Sequence, residues 1–269
     1  MANERELRLQ QRLALLLERR YARRFRVEIK RASLALINGY KQNGQLPQVS
    51  NEHQRNIKLI IAELSERAIN AFGTRALEAS VPKFSDDGKS FSPTLGHSQS
   101  METKGFADFL LRIAAEYVQN ELTRETITQI TTTTREQIVS QIAYGEKEGW
   151  GIGKISNVMS RVVPSISRSR SALIARTETH NASQTGSFQA AKQVGVPMWK
   201  QWIAISDNRT RDSHADMSRE PIPMDEPFRV PRSDGGVDLM MHAGDRSNGS
   251  AGNTINCRCS IGFVRPPTL

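Results

Sequence analysis

The sequence is short of cysteine, of aromatic side chains and of long apolar runs, and each shortage excludes something. Its two cysteines, Cys257 and Cys259, are separated by one residue. A disulfide between them is geometrically unfavourable, so they read as reduced thiols in a cytosolic setting. Aromatic residues make up 6% and hydrophobic residues 38%, enough for a core but not a large one. No run of 18 apolar residues occurs, so no membrane span is indicated. The first residues, Met1 to Arg5, are charged and lead into no apolar stretch with a cleavage site, so no secretory signal is expected. Catalytic fingerprints are missing too. There is no Gly-x-Ser-x-Gly elbow, and the glycine-rich stretch Gly149 to Gly153 lacks the Lys-Ser/Thr ending of a phosphate loop. No internal repeat is evident.

What the chain does have is positive charge. Its 37 Lys+Arg against 28 Asp+Glu leave a formal net charge of +9, a balance that favours polyanionic partners. Residues 1–31 hold ten Lys+Arg and four Asp+Glu, a net of +6. Arg19, Arg20, Arg23, Arg24, Arg26, Lys30 and Arg31 lie between Leu9, Leu13, Leu16, Leu17, Tyr21, Phe25, Ile29 and Leu36 at helical spacing. Residues 5–43 are therefore expected to form one basic amphipathic helix. Such a helix can bind nucleic acid, an acidic protein surface or an anionic membrane, or can simply solvate its Arg face. These seven residues are the candidate nucleic-acid or partner contacts.

Asn43 to Pro47 ends that helix, and a stripe from Ile57 to Phe72 predicts a second over 50–80. Residues 80–100, rich in Ser, Gly, Pro and Asp, read as a linker. Residues 101–144 are helical again, with a bend or break expected at Thr131 to Thr134 because β-branched residues are mediocre helix formers. Helices over 154–163 and 168–194 follow, the second stopped by Gly195-Val196-Pro197. Beyond this the texture changes. Trp199, Trp202, Ile203 and Ile205 suggest a strand leading to a turn at Asp207-Asn208. Residues 218–256 hold short extended stretches at most, Gly244 to Asn253 would be mobile unless a partner orders them, and 259–264 is a final strand. The expectation is an α+β protein, with a mainly α-helical N-terminal two-thirds followed by a small irregular β-containing C-terminal module. Two domains are expected, 1–100 and 101–269.

Four motifs follow in order within the last hundred residues. They are Ile174-Ala175-Arg176-Thr177-Glu178-Thr179-His180, then Trp202 with Asp207-Asn208-Arg209-Thr210-Arg211-Asp212-Ser213-His214, then Pro227-Phe228, then Asn256-Cys257-Arg258-Cys259. This ordered set resembles the phage Mu F-like minor head protein family, also called the phage head-morphogenesis domain, over about residues 120–264. The family often has a Gly shortly after the His, where this chain has Asp216-Met217-Ser218. The resemblance implies a minor capsid protein of a tailed bacteriophage, assembled in the host cytoplasm and residing in the virion, inside the capsid or at the portal vertex. The implied partners are the portal protein, a scaffold or major capsid protein, and double-stranded DNA, with no membrane partner and no catalytic residues.

The same residues carry physical readings of their own. Arg176 and Glu178 are two apart and do not share a helix face. Arg176 is expected to pair with Asp207 or Asp212, and Glu178 with Arg209 or Arg211, clamping helix to module around Trp202. His214, His242, Cys257 and Cys259, with His180, form the metal-capable set. No cofactor is required, but two thiols with one or two His suit zinc, although the Cys-x-Cys gap is shorter than usual. The alternative is two half-buried thiols opening a strand. The enzymatic alternative is an RNase- or transferase-like toxin or effector domain in which Arg209, Arg211 and His214 hold a phosphate and move a proton.

Overall fold

The computed structural model describes residues 4–80, 103–193, 197–218 and 220–266. The expected linker at 80–100 and the stop at 195–196 thus fall almost wholly outside the described residues. Five long helices come first: α1 (Glu4–Asn43), α2 (Asn51–Ser80), α3 (Thr103–Gln119), α4 (Glu121–Lys147) and α5 (Ile152–Gln193). Then come β1 (Trp199–Ile203), α6 (Asp212–Ala215), a 3-10 turn (Asp216–Ser218), β2 (Ile222–Pro223), β3 (Phe228–Pro231), β4 (Val237–Met240), α7 (Ala251–Thr254) and β5 (Ser260–Val264). The fold is α+β, as expected. No described helix is long and apolar enough to cross a membrane.

The chain divides into two compact units that alternate along it. One comprises Leu16–Glu63 and Val118–Arg176; the other comprises Met1–Leu15, Leu64–Tyr117 and Thr177–Leu269. The first unit is all helical. Its core joins Leu36, Ile37 and Tyr40 of α1 to Ile138 and Ile142 of α4 and to Ile155, Met159 and Val163 of α5. The expected break at the Thr run does not occur. Thr131 and Thr134 are buried and turn their hydroxyls back to the carbonyls of Ile127 (3.1 Å) and Ile130 (2.7 Å), so α4 continues. The interruption lies earlier, at Asn120. The two helices expected over 154–194 are one, because α5 runs through Pro164. A proline there removes a helix hydrogen bond. Burial of Met159 and Val163 on one side, and of Ser167 bonded to the Val163 carbonyl at 2.7 Å, holds the helix together.

In the second unit α2 and α5 approach backbone to backbone. A Cβ on Gly186 would sit 2.7 Å from the Ile69 carbonyl oxygen, so only glycine allows this approach. The sheet has strand order β2-β1-β5, all antiparallel, with Trp202 opposite Ile261. A separate hairpin pairs β3 with β4, Phe228 facing Met240. Phe188, Trp202, Phe228, Val230, Met240, Cys257, Cys259 and Ile261 form the core beneath them.

Candidate functional site

The site grows from the C-terminal part of α5, whose residues Thr177 to Gln184 are buried although most are polar. A buried polar group needs a partner, and three of these side chains find theirs on one passing stretch of backbone. Thr177 Oγ1 accepts from the Asn256 N–H (3.1 Å), His180 Nε2 bonds the Cys259 carbonyl (2.6 Å), and Gln184 Oε1 accepts from the Ile261 N–H (3.0 Å). The steps of three and four residues put them on one helix face, so α5 holds the chain from Asn256 into β5 by a polar stripe. Asn256 enters this stretch with φ 58°, a left-handed conformation that Asn tolerates better than most residues.

The segment from Asp207 to His214 grips the same stretch from the other side. Asp207 accepts a two-pronged bond from Arg258 (2.6 and 2.7 Å) and a further one from the Arg209 N–H at 3.0 Å. The Arg258 bond, helped by that amide, holds the Asp207 carboxyl well below the usual carboxylate range. Arg211 donates to the Ile255 carbonyl (2.8 Å), and Thr210 donates to the Ile205 carbonyl. His214 is buried. Its Nε2 meets Asn253 Oδ1 at 3.2 Å, and its Nδ1 lies 3.6 Å from Cys257 Sγ and 3.5 Å from Cys259 Sγ. Trp202 closes the assembly with edge contacts to His214 (5.2 Å) and Phe228 (5.4 Å). The place where the family often has Gly is taken by the 3-10 turn at Asp216–Ser218.

Polar bonds tie α5 to the module, but the ion pairs expected to clamp them are not the ones formed. Arg176 meets Glu18 at 3.4 Å rather than Asp207 or Asp212. Glu178 meets Arg246, not Arg209 or Arg211, with Nη2 at 2.5 and 2.6 Å from the two carboxylate oxygens. Burial disfavours the Arg246 charge, and the Glu178 carboxylate more than offsets this, leaving the guanidinium above its ordinary value. Burial likewise raises the Tyr117 phenol beside it. Arg209 is exposed, its side chain 68% accessible, and lies 3.6 Å from Asp207.

The run from Gly244 to Asn253, expected to be mobile without a partner, is held internally. Asp245 accepts from the N–H groups of Met241 (2.7 Å) and Ser247 (3.0 Å) and from Asn248. Asp238 accepts from Ser250 and Asn253. Gly244, at φ 71°, passes so close to α5 that a Cβ there would lie 2.5 Å from His180 Nδ1.

Of the metal-capable set, the structure gathers His214, Cys257 and Cys259, whose ligand atoms all lie within 4.8 Å of one another. His242 is elsewhere. It is buried against Phe188 and bonds the Ala243 carbonyl at 3.0 Å, and burial lowers its pKa. Lys200 was not foreseen. Fully buried in β1, it donates to the Met241 carbonyl (2.9 Å) between the rings of Phe188 and Phe228, and desolvation lowers its pKa to about 8. The sequence carries a faint signal for it, a lone cation inside a Trp-Lys-Gln-Trp-Ile strand.

The basic candidates lie on α1 in the helical unit. Arg24 bonds Glu63, Arg20 lies 3.8 Å from it, and Arg31 bonds Glu28. Arg19, Arg23, Arg26 and Lys30 have no carboxylate partner among the described residues. Their spacing of four, three and four residues lines them along one helix face, and all but the half-buried Arg26 are exposed.

Residues 136–262 match the Phage Mu protein F like protein family. Minor head protein GP7 of Bacillus phage SPP1 is 29% identical over 166 residues, 60% of this chain and 52% of that protein. The NAD(+)–arginine ADP-ribosyltransferase EFV of Enterococcus faecalis (strain ATCC 700802 / V583) is 30% identical over 90 residues, 32% of this chain and 17% of that protein. The chain thus spans about half the length of the first relative and about a sixth of the second. No solved structure matches.

Proposed function

We propose that this chain, whose residues 136–262 form a Phage Mu protein F like domain, is a minor head protein of a tailed bacteriophage. In this reading it acts in procapsid and head assembly at or near the portal, beside a scaffold or major capsid protein, and ends in the virion. What carries it is the likeness of 60% of the chain to a minor head protein, together with the family match over residues 136–262. A catalytic acid or base needs a free face toward a substrate. Here Glu178 is bound to Arg246, Asp207 to Arg258, and His214 stands between Asn253 and two thiols. The module reads as a platform, and we assign it no catalytic residues. The unpaired stripe Arg19, Arg23, Arg26 and Lys30 supports contact with packaged double-stranded DNA, since Arg and Lys neutralise successive phosphates.

The test is a pull-down of the tagged chain co-expressed with portal and scaffold subunits, repeated after nuclease treatment and in high salt. Portal retained through both treatments supports the assembly role. Nucleic acid retained without portal would leave only the DNA arm, and neither retained would refute both.

One observation favours a second reading, a transferase-like effector: the likeness over 90 residues to an arginine ADP-ribosyltransferase. Incubation with labelled NAD and an arginine-rich acceptor separates the two. The assembly reading expects no transfer. Transfer lost in a folded His214→Ala variant would put the second reading in its place.

A further inference from the structure

We propose that His214, Cys257 and Cys259 bind a divalent zinc-class ion through Nδ1 and two thiolates, locking the clamp in the C-terminal module. The first support is geometry. Zn–S bonds of about 2.3 Å and a Zn–N bond of about 2.05 Å at tetrahedral angles place nitrogen and sulfur about 3.6 Å apart. The two distances here are 3.6 and 3.5 Å. The ligands come from separated segments, α6 and the turn before β5, and His214, Cys257 and Cys259 are 1%, 1% and 3% exposed.

The second support is the fixed tautomer of His214. Asn253 Nδ2 donates to the Asp238 carboxylate at 2.8 Å and to the Pro231 carbonyl, so Asn253 Oδ1 is the atom facing the imidazole. It can only accept, so Nε2 carries the proton and Nδ1 presents its lone pair to the sulfurs. A ring nitrogen freed in this way by a bond on its other side is the usual arrangement around a metal-bound histidine. Two thiols facing one lone pair can satisfy it with only one S–H, whereas a cation takes all three donors at once.

The third support is charge. Two thiolates and a neutral imidazole cancel a divalent ion, leaving a buried site with no net charge, the condition under which burial costs least. On binding, two S–H bonds give their protons to solvent and two metal–sulfur bonds form, with no change of oxidation state. The described residues supply three ligands, and water completes the fourth position. None of this rests on the assembly reading.

The experiment uses the full chain, stripped with chelator under reducing conditions and titrated with cobalt and then zinc. The wild type is expected to take up about one ion per chain, with a thiolate-to-cobalt charge-transfer band and tetrahedral visible bands that zinc abolishes. Zinc should also protect both thiols from a thiol reagent and raise the Tm. Cys259→Ser should lose the charge-transfer band, Asn253→Ala should weaken binding about 10–100-fold, and His242→Gln should bind as the wild type does. A folded wild-type chain showing no such band, with thiols equally reactive with and without zinc, would overturn the proposal. Both readouts use the wild type, so a variant that fails to fold leaves the decision intact.

Discussion

The ion pair between Glu178 and Arg246 offers a quantitative test of the clamp. The Glu178 side chain is 3% accessible and that of Arg246 16%, so water screens neither well, and one guanidinium nitrogen serves both carboxylate oxygens at 2.5 and 2.6 Å. An exposed pair stabilises by at most about 1 kcal/mol. A buried pair that loses one member leaves the other charge desolvated and alone, at a cost of about 3–5 kcal/mol. Glu178→Gln keeps the shape and removes the charge, so it should destabilise by about 3 kcal/mol. Arg246→Met should do the same from the other side. Replacing both together by methionine should cost far less than the sum, because no charge is stranded. Urea unfolding followed by tryptophan fluorescence measures this. Trp150 lies in the all-helical unit and Trp199 and Trp202 in the other, so a Trp150→Phe background makes the signal report the unit that holds the pair. Arg209→Ala, at an exposed position, is the control and should leave the midpoint unmoved. Single losses below about 1 kcal/mol, or a double variant costing the sum of the singles, would mean the pair is not the buried clamp described.

Four further outcomes are expected. Gly244→Ala, which forces a positive φ on a residue with a Cβ and drives it against His180 and Asn181, should lower stability by about 2 kcal/mol or more in the same unfolding assay. Lys200 carries a folded pKa lowered to about 8 from 10.5, so between these values the unfolded chain binds more protons. Its cost is therefore full below pH 8 and relieved as pH rises to 10.5, and the wild type should gain on the order of 3 kcal/mol across that window. Lys200→Met, followed by urea midpoints from pH 7 to 10.5, should flatten that rise. Replacing Arg19, Arg23, Arg26 and Lys30 together by alanine should reduce the slope of log affinity for duplex DNA against log salt by about 3–4. An unchanged slope would remove α1 from the DNA interface. Trp202→Ala should cost about 3–5 kcal/mol by emptying the core beneath the sheet, read as a fall in Tm.

Much of the helical architecture was legible because burial and periodicity agree. The stripe Tyr21, Phe25, Ile29, Leu36 is buried as its spacing implies, and so is the stripe from Ile57 to Phe72. Legibility failed where a local rule met tertiary packing. The Thr run and Pro164 both argue for a break, and both lie inside continuous helices because their neighbours are buried. The β3–β4 hairpin was readable in principle. Phe228-Arg-Val and Val237-Asp-Leu-Met alternate buried with exposed around Asp234-Gly235-Gly236, but the surrounding Pro and Ser hid the period.

The site shows a different limit. Its residue types announced a polar clamp, yet every ion pair expected from the motifs alone was drawn between the wrong members. Charge type fixes only that Glu178 needs a cation; which cation depends on the path of the chain. Asp245 folds the Gly-rich run back on itself, and that turn delivers Arg246 to α5, while the bend at Asn256 delivers Arg258 to Asp207. The metal-capable set sorted by the same logic. Cys257 and Cys259 lie on the stretch that α5 and the Asp207–His214 segment both grip, so His214 meets them. His242 packs instead on Phe188 and bonds the Ala243 carbonyl. Thr177, His180 and Arg211, from two separate motifs, bind the backbone between Ile255 and Cys259, a target that leaves no side-chain signature in the sequence.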